Sequence, residues 1–277
     1  RQQGLQKLRT NEPELAVALF DDALELSKDA ETSELIGINK AFALISLGED
    51  GEEVQKLPQI VLGRRNSRHV LLACYNLLFK YRLEGRYDRA RFYGKIALEC
   101  PNDDQSWRLA ILTELGSVEL FDSQFEDAIE YYRQAFDLLE HDPLQQSFVR
   151  HNIGYCTLIS GDPAAGVEAI RDALAIMEAN GLEGFIAEPH LDLALGYLEM
   201  ERYELAQHHG RLGLEKAREE RQIRNAHYLL GEIAHYRGDT QTADIHFEHL
   251  CRFYPDFPQL KNLLYAIDLR GVINWKL

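Results

Sequence analysis

The chain has 277 residues, 45% of them hydrophobic and 27% charged, which is enough apolar material for one large core or two ordinary ones. Its 45 Asp and Glu against 30 Lys and Arg give a formal net charge of -15; a surface of that sign repels nucleic-acid phosphates and anionic headgroups, so neither is an expected partner. No apolar run approaches the ~20 residues of a membrane span, and Cys74, Cys100, Cys156 and Cys251 form no CxxC pair, which favours free thiols in a reducing, cytoplasmic setting.

Taken in chain order, residues 1–9 read as the remnant of a leading helix, with Arg1 already inside it, leaving room for a signal peptide or an N-terminal domain before it. One pattern then recurs: a Gly or small polar residue, an aromatic residue or Pro two positions on, and a small residue three after that. It appears as Asn11-Glu12-Pro13 with Ala16, and in a degenerate copy at Gly48 whose small position falls on Glu53. It returns as Gly85-Arg86-Tyr87 with Ala90, Ser123-Gln124-Phe125 with Ala128, and Gly161-Asp162-Pro163 with Gly166. Glu201-Arg202-Tyr203 with Ala206 and Gly238-Asp239-Thr240 with Ala243 complete the series. The last positions lie 37, 37, 38, 38, 40 and 37 residues apart.

Each copy reads as helix, short turn, helix. In the third, Leu71, Leu72, Tyr75, Leu78 and Phe79 predict a helix over 69–83; Glu84-Gly85-Arg86 stop it, and a second helix over 87–99 runs to Pro101. Small residues fall where paired helices must come close, as Gly116 opposite Ala128 and Ala135, and Gly231 opposite Ala243. Phe20, Tyr132 and Phe247, four past the small position, fill the space to the next pair. Residues 257–270, with Leu260, Leu263, Leu264, Ile267 and Leu269, predict an extra helix capping the last pair, ended by Gly271. The apolar tail 272–277 is expected to fold back on that cap, to continue into further sequence, or to pack on a second copy. One hairpin cannot bury its apolar faces alone, so the copies must stack. The expected fold is therefore an all-α solenoid of about seven antiparallel helix pairs, a single domain over 1–277. Its repeats span about 1–32, 33–69, 70–105, 106–144, 145–182, 183–222 and 223–256, with the cap and tail over 257–277.

This repeat resembles that of the tetratricopeptide family. The last full copy carries Leu230-Gly231, Gly238, Ala243, Phe247 and Pro255, and the copy before it Leu193-Ala194, Tyr197, Tyr203 and Ala206. The likeness covers essentially the whole chain, with repeats longer than the family's usual ~34 residues, similar to the tetratricopeptide modules of bacterial regulators and kinesin light chains. It implies a superhelix whose first helices line a concave groove for a peptide or protein. In that alignment Asn39, Asn76 and Asn152 share one groove position, held in two other copies by Glu114 and Asp192. Asparagine is a mediocre helix former, and its amide both donates and accepts, which suits a peptide backbone; in several peptide-binding members of the family, inner asparagines do contact it. Phe42, Tyr75, Phe79, Tyr155 and Tyr228 beside them offer aromatic anchors, and Arg82 and His151 stand to meet carboxylates. The alternative is that the asparagines satisfy neighbouring helices and the aromatics are core. A clamp for a chaperone's terminal carboxylate is not expected, since its positions hold Tyr75, Phe79 and Ala110.

No G-x-S-x-G, phosphate loop, G-x-G-x-x-G or H-E-x-x-H is present, and the repeats leave no stretch for a catalytic domain, so an enzyme is not expected. His246 and His249, three apart on one helix, have metal-ligand spacing, but no Cys or carboxylate completes a set, and no metal or other cofactor is expected. Arg64, Arg65 and Arg68 form one basic group. Arg82, Arg86, Arg89 and Arg91 straddle a turn and suit an acidic partner, or are balanced by Glu84 and Asp88. The functional expectation is a peptide- or protein-binding scaffold. Its competitors are a ligand-sensing module of a longer bacterial regulator and self-association through the tail.

Overall fold

The computed structural model describes residues 1–139, 142–270 and 272–277, and among these it holds fifteen helices and no strand. In order they are α1 (Gln2–Arg9), α2 (Pro13–Leu26), α3 (Ala30–Ser46), α4 (Glu52–Gly63), α5 (Ser67–Leu83), α6 (Tyr87–Glu99), α7 (Gln105–Phe121) and α8 (Phe125–Asp137). Then follow α9 (Pro143–Ile159), α10 (Pro163–Ala179), α11 (Ala187–Glu199), α12 (Tyr203–Lys216), α13 (Glu220–Tyr236), α14 (Thr240–Cys251) and α15 (Leu260–Ala266). Odd and even helices alternate as the two arms of seven hairpins, and the architecture is an α-solenoid. The chain divides into two compact bodies, residues 1–118 and 119–277, with the boundary inside α7.

The turn inside each hairpin explains the first position of the repeat. Asn11, Gly48, Gly85, Ser123, Gly161, Glu201 and Gly238 all have positive φ, between 56° and 102°. A left-handed residue lets the first helix end and the second start within a few residues, and glycine takes that conformation without a Cβ clash. Aspartates cap four of the second-helix or next-helix starts: Asp29, Asp142, Asp162 and Asp239 accept from the backbone N–H of Thr32, Gln145, Ala165 and Thr242.

The small position is where helices touch. Ala16, Ala90, Ala128, Ala206 and Ala243 are all fully buried. Gly231 is packed against the Phe247 ring, where an added Cβ would sit 2.3 Å from Cε1. The ring four residues beyond the expected partner, Ala243, reaches back across the hairpin and lies nearest to Gly231. In the second pair Glu53 occupies the small position, and its carboxylate meets Lys40 at 3.2 Å, an ammonium that also pairs with Asp21 at 2.7 Å. The first body's core includes Phe20, Ile36 and Ala43 with Leu5 and Leu8 of α1 packed on them. The second is built around Tyr132, Tyr155, Ile170 and Phe247.

The cap is shorter than its apolar pattern suggests. α15 covers only Leu260–Ala266, because Pro258 disfavours helix before it and Ile267 is already extended at φ -133° and ψ 127°. From there Leu269 N–H donates to the Tyr228 hydroxyl at 3.1 Å, drawing the chain toward α13. The expected stop at Gly271 lies outside the described residues. All four cysteines are free, and burial pushes the Cys74 and Cys156 thiols up to about 12. Among the described residues no helix is long and apolar enough to cross a membrane.

Candidate functional site

The predicted groove residues fall on odd-numbered helices in both bodies. In the first body, Asn39 and Phe42 lie on α3, and Tyr75, Asn76, Phe79 and Arg82 on α5. Phe42 packs on Phe79 at 5.3 Å and Tyr75 at 6.3 Å, and Trp107 of α7 meets Tyr75 edge-on at 5.4 Å. Phe42, Tyr75 and Trp107, but not Phe79, border a cavity of about 490 Å³ whose lining also includes Leu5, Asn39 and Arg68. A second cavity in this body, about 500 Å³ and lined by Leu24, Gly37, Lys56 and Ile60 among others, receives none of the predicted residues.

The asparagines divide. Asn76 is buried and its amide donates to the Ile38 carbonyl at 2.8 Å, bracing α5 on α3. Asn39, at the same repeat position, has its buried Nδ2 without a hydrogen-bond partner among the described residues. Arg82 finds its carboxylate inside the chain: it pairs with Glu114, whose burial pushes the carboxyl's pKa up against the guanidinium's pull. The other predicted arginines of that group are also engaged. Arg86 and Arg89 lie over the Tyr81 ring at 4.9 and 5.5 Å, and Arg91 meets Asp88 at 3.1 Å.

In the second body, α9, α11 and α13 each present a row of polar residues at helical spacing: His151 and Tyr155, Glu188 and Asp192, then Arg221, Asn225 and Tyr228. Predicted Asn152 lies next in sequence to His151 and is half-buried. Between these rows sits the tail. Trp275 is buried, its ring 4.8 Å from that of Tyr228. Its backbone N–H donates to the Tyr155 hydroxyl at 3.2 Å, and its carbonyl accepts from Arg221 at 3.0 Å and Asn225 at 2.8 Å. Asn274 donates to the Leu120 carbonyl at 2.7 Å. The Lys276 ammonium enters between Asp192, at 2.6 and 2.9 Å, and Glu188, at 2.7 Å, over the Tyr155 ring at 4.2 Å.

No protein-family model matches the sequence, and no curated protein matches it. Solved structures do. The apo form of RapI aligns over 99% of this chain and 82% of its own, with a TM-score of 0.73 at 14% identity. NprR in complex with its cognate peptide NprX aligns over 96% and 80%, with a TM-score of 0.71 at 11% identity. The fold is that of the tetratricopeptide-type helical-repeat proteins. The Rap conjugation gene regulator of plasmid pLS20, in complex with the Phr* peptide, shares it over 99% and 79%, with a TM-score of 0.61 at 16% identity.

Within this tetratricopeptide fold the charges of the second body form one closed set. Burial pushes the Glu188 carboxyl up, but Lys276 and the forked Arg221, at 2.9 and 3.1 Å, hold it far below the usual carboxylate range. Burial likewise pushes the Lys276 ammonium down, and Asp192 and Glu188 more than reverse this. Asp192 accepts a further contact from His151 Nε2 at 2.7 Å. Burial raises the Tyr155 and Tyr228 phenols, so both act as neutral hydroxyls. Among the residues predicted for this body, Tyr155 and Tyr228 touch the tail directly and His151 reaches it through Asp192.

Glu188, Arg221, Asn225 and Lys276 were not anticipated in this role. Their signal in the sequence was Glu188 and Asp192, four apart in the largely apolar helix 187–199, where two carboxylates on one buried face need a cation. The histidines pair instead with one another: His190 with His209 and His227 with His246, each Nδ1 to Nδ1 at 3.0 Å, with His249 stacked 4.7 Å from His227. Among the described residues no group of three or more His, Cys, Asp or Glu is arranged to hold a metal ion.

Proposed function

We propose that this chain is a peptide- or protein-binding scaffold that captures an extended segment along the inner faces of its odd-numbered helices and performs no reaction of its own. The observation that carries this reading is the first body's cavity. Its walls are Phe42, Tyr75 and Trp107, and its lining residues include Asn39, whose amide donor is buried with no partner among the described residues. A buried donor left unmade costs about 1–3 kcal/mol, so an incoming backbone carbonyl at that point recovers what folding left unsatisfied. The rings add rigid anchor area with little side-chain entropy to lose. The likeness to NprR and to the plasmid regulator, both holding peptides, supports the same use of the fold.

Peptides selected from a random library on the unaltered chain test this. For those that bind the first body, the double variant Asn39→Ala, Arg68→Ala is expected to weaken binding at least tenfold, with the thermal midpoint lowered by no more than about 2 °C. A library that yields no binder removes the reading.

A further inference from the structure

The second body already holds a peptide-like segment, and that segment is its own. We propose that residues 272–277 are a resident pseudo-ligand of the trough formed by α9, α11 and α13, and that this trough accepts in their place a peptide presenting an aromatic residue followed by a lysine or arginine. The proposal rests on the peptide-binding reading and deepens it by naming the ligand class and the regulation of a second site.

Three features distinguish this seat from ordinary packing of one segment on another. First, residue 275 is gripped by its backbone. Its N–H meets Tyr155, and its carbonyl takes two donors, from Arg221 and Asn225, so each of the three helices contributes to holding the segment or its lysine. Side chains that satisfy both polar groups of a backbone residue serve any extended peptide laid along the same line. Secondly, the side-chain requirements are specific. The Trp275 ring lies against Tyr228, and the Lys276 ammonium reaches two carboxylates and a ring face. Thirdly, the seat is held by few residues. Val272, Ile273 and Leu277 are exposed, at 73%, 41% and 62%, while residues 274–276 carry the contacts.

Charge then decides what may replace the segment. Glu188 keeps Arg221 when Lys276 leaves, but Asp192 is left with His151 alone in a buried position. A buried carboxylate that has lost its cation favours any occupant that restores one. An acidic peptide brings a third negative charge to the same place and is excluded. The trough therefore selects a basic side chain, and its own lysine suppresses weak ligands until a tighter one displaces the segment.

The test compares the unaltered chain with the double variant Trp275→Ala, Lys276→Ala, using a labelled synthetic peptide with the sequence of residues 272–277. Polarisation is expected to show binding to the double variant at least tenfold tighter than to the unaltered chain. The same peptide with its Lys changed to Glu is expected not to bind, and adding Asp192→Asn is expected to abolish binding. Equal affinities for the two chains, or equal binding of the Glu peptide, would overturn the proposal. If the double variant does not fold, excess free peptide on the unaltered chain must expose residues 272–277 to protease, and protection that persists has the same consequence. Library selection on the double variant separates the two readings. Trough-binding peptides without an aromatic–basic pair defeat this inference alone, whereas no binder to either chain defeats the scaffold itself. A doubled mass of the unaltered chain in light scattering, lost in the double variant, would assign the segment to a second copy and overturn the intramolecular seat.

Discussion

Asn39, Asn76 and Asp192 stand at one position of the repeat and meet three different fates. Asn76 donates to Ile38 and belongs to the scaffold; Asn39 has a buried donor with nothing to hold; Asp192 holds the Lys276 ammonium. The difference has a measurable consequence for folding. Asn76→Ala removes a buried hydrogen bond to the Ile38 carbonyl, which keeps its bond within α3, at a cost of about 0.5–1.5 kcal/mol. Asn39→Ala removes a buried donor that has no bond to lose, so it is expected to leave stability unchanged or to raise it, by up to about 1–3 kcal/mol. Urea unfolding of the two variants, followed by circular dichroism, checks this, and equal losses would refute it. The recurrence of polar residues on an inner helix face was legible from spacing alone. Which of them were already satisfied was not, because the answer lies in a carbonyl 38 residues away and in a tail lysine 84 residues away.

The hairpin turns show how far an element is dictated by its sequence. Seven residues take the left-handed conformation, four of them glycine, and the others are Asn11, Ser123 and Glu201. Asparagine tolerates that region through its short polar side chain, whereas glutamate has no such compensation and bears a steric cost of about 1–2 kcal/mol. Glu201→Gly removes this cost and gives back part of it as chain entropy in the unfolded state, leaving a net gain of about 0.5–1 kcal/mol. The unfolding midpoint of the second body is expected to rise by about 1–4 °C; calorimetry that finds no rise, or a fall, would contradict the strain argument. The same turns made the helix pairs readable, since the period of 37 to 40 residues fixes where each helix stops. The sequence pattern failed at the cap. Leu263, Leu264, Ile267 and Leu269 suggest one continuous helix, yet the chain leaves it at Ile267 and its backbone turns to Tyr228. Helical periodicity reports an apolar face but not a competing hydrogen bond from another helix. The tail was equally hidden, because the polar side chains that hold Trp275 and Lys276 are spread over three helices up to 120 residues away in sequence.

At the scale of the molecule, two bodies with separate cores need not unfold together, and their titrating groups differ. The second body carries the two histidine pairs. A bond between two Nδ1 atoms requires one ring to donate and the other to accept, so protonating both breaks it. Burial first, then neighbouring histidines, lowers His190, His209 and His227 to about 4, and His246 is lowered as well. Unfolded histidines take up protons near their ordinary 6.5, so between about pH 6.5 and 4 the unfolded state binds more protons. Stability is therefore whole above 6.5 and lost as pH falls through that window. Glu232 works the other way: burial raises it to about 7, so its protonated folded form gains stability as pH falls from 7 toward 4.5. One such carboxyl acts against four histidines, and the second body's midpoint is expected to be highest near neutrality and to drop steadily toward pH 4. The first body has no histidine–histidine pair among its described residues, and its depressed carboxylates, Glu12, Asp29, Glu52, Glu84 and Asp104, lose their contribution only as they protonate at lower pH. Calorimetry from pH 7.5 to 4 should therefore move the second body's transition first. Replacing His190 and His227 by Gln, which keeps hydrogen-bonding capacity without a charge to gain, should flatten that shift. A shift of the same size in the double variant would place the acid sensitivity elsewhere.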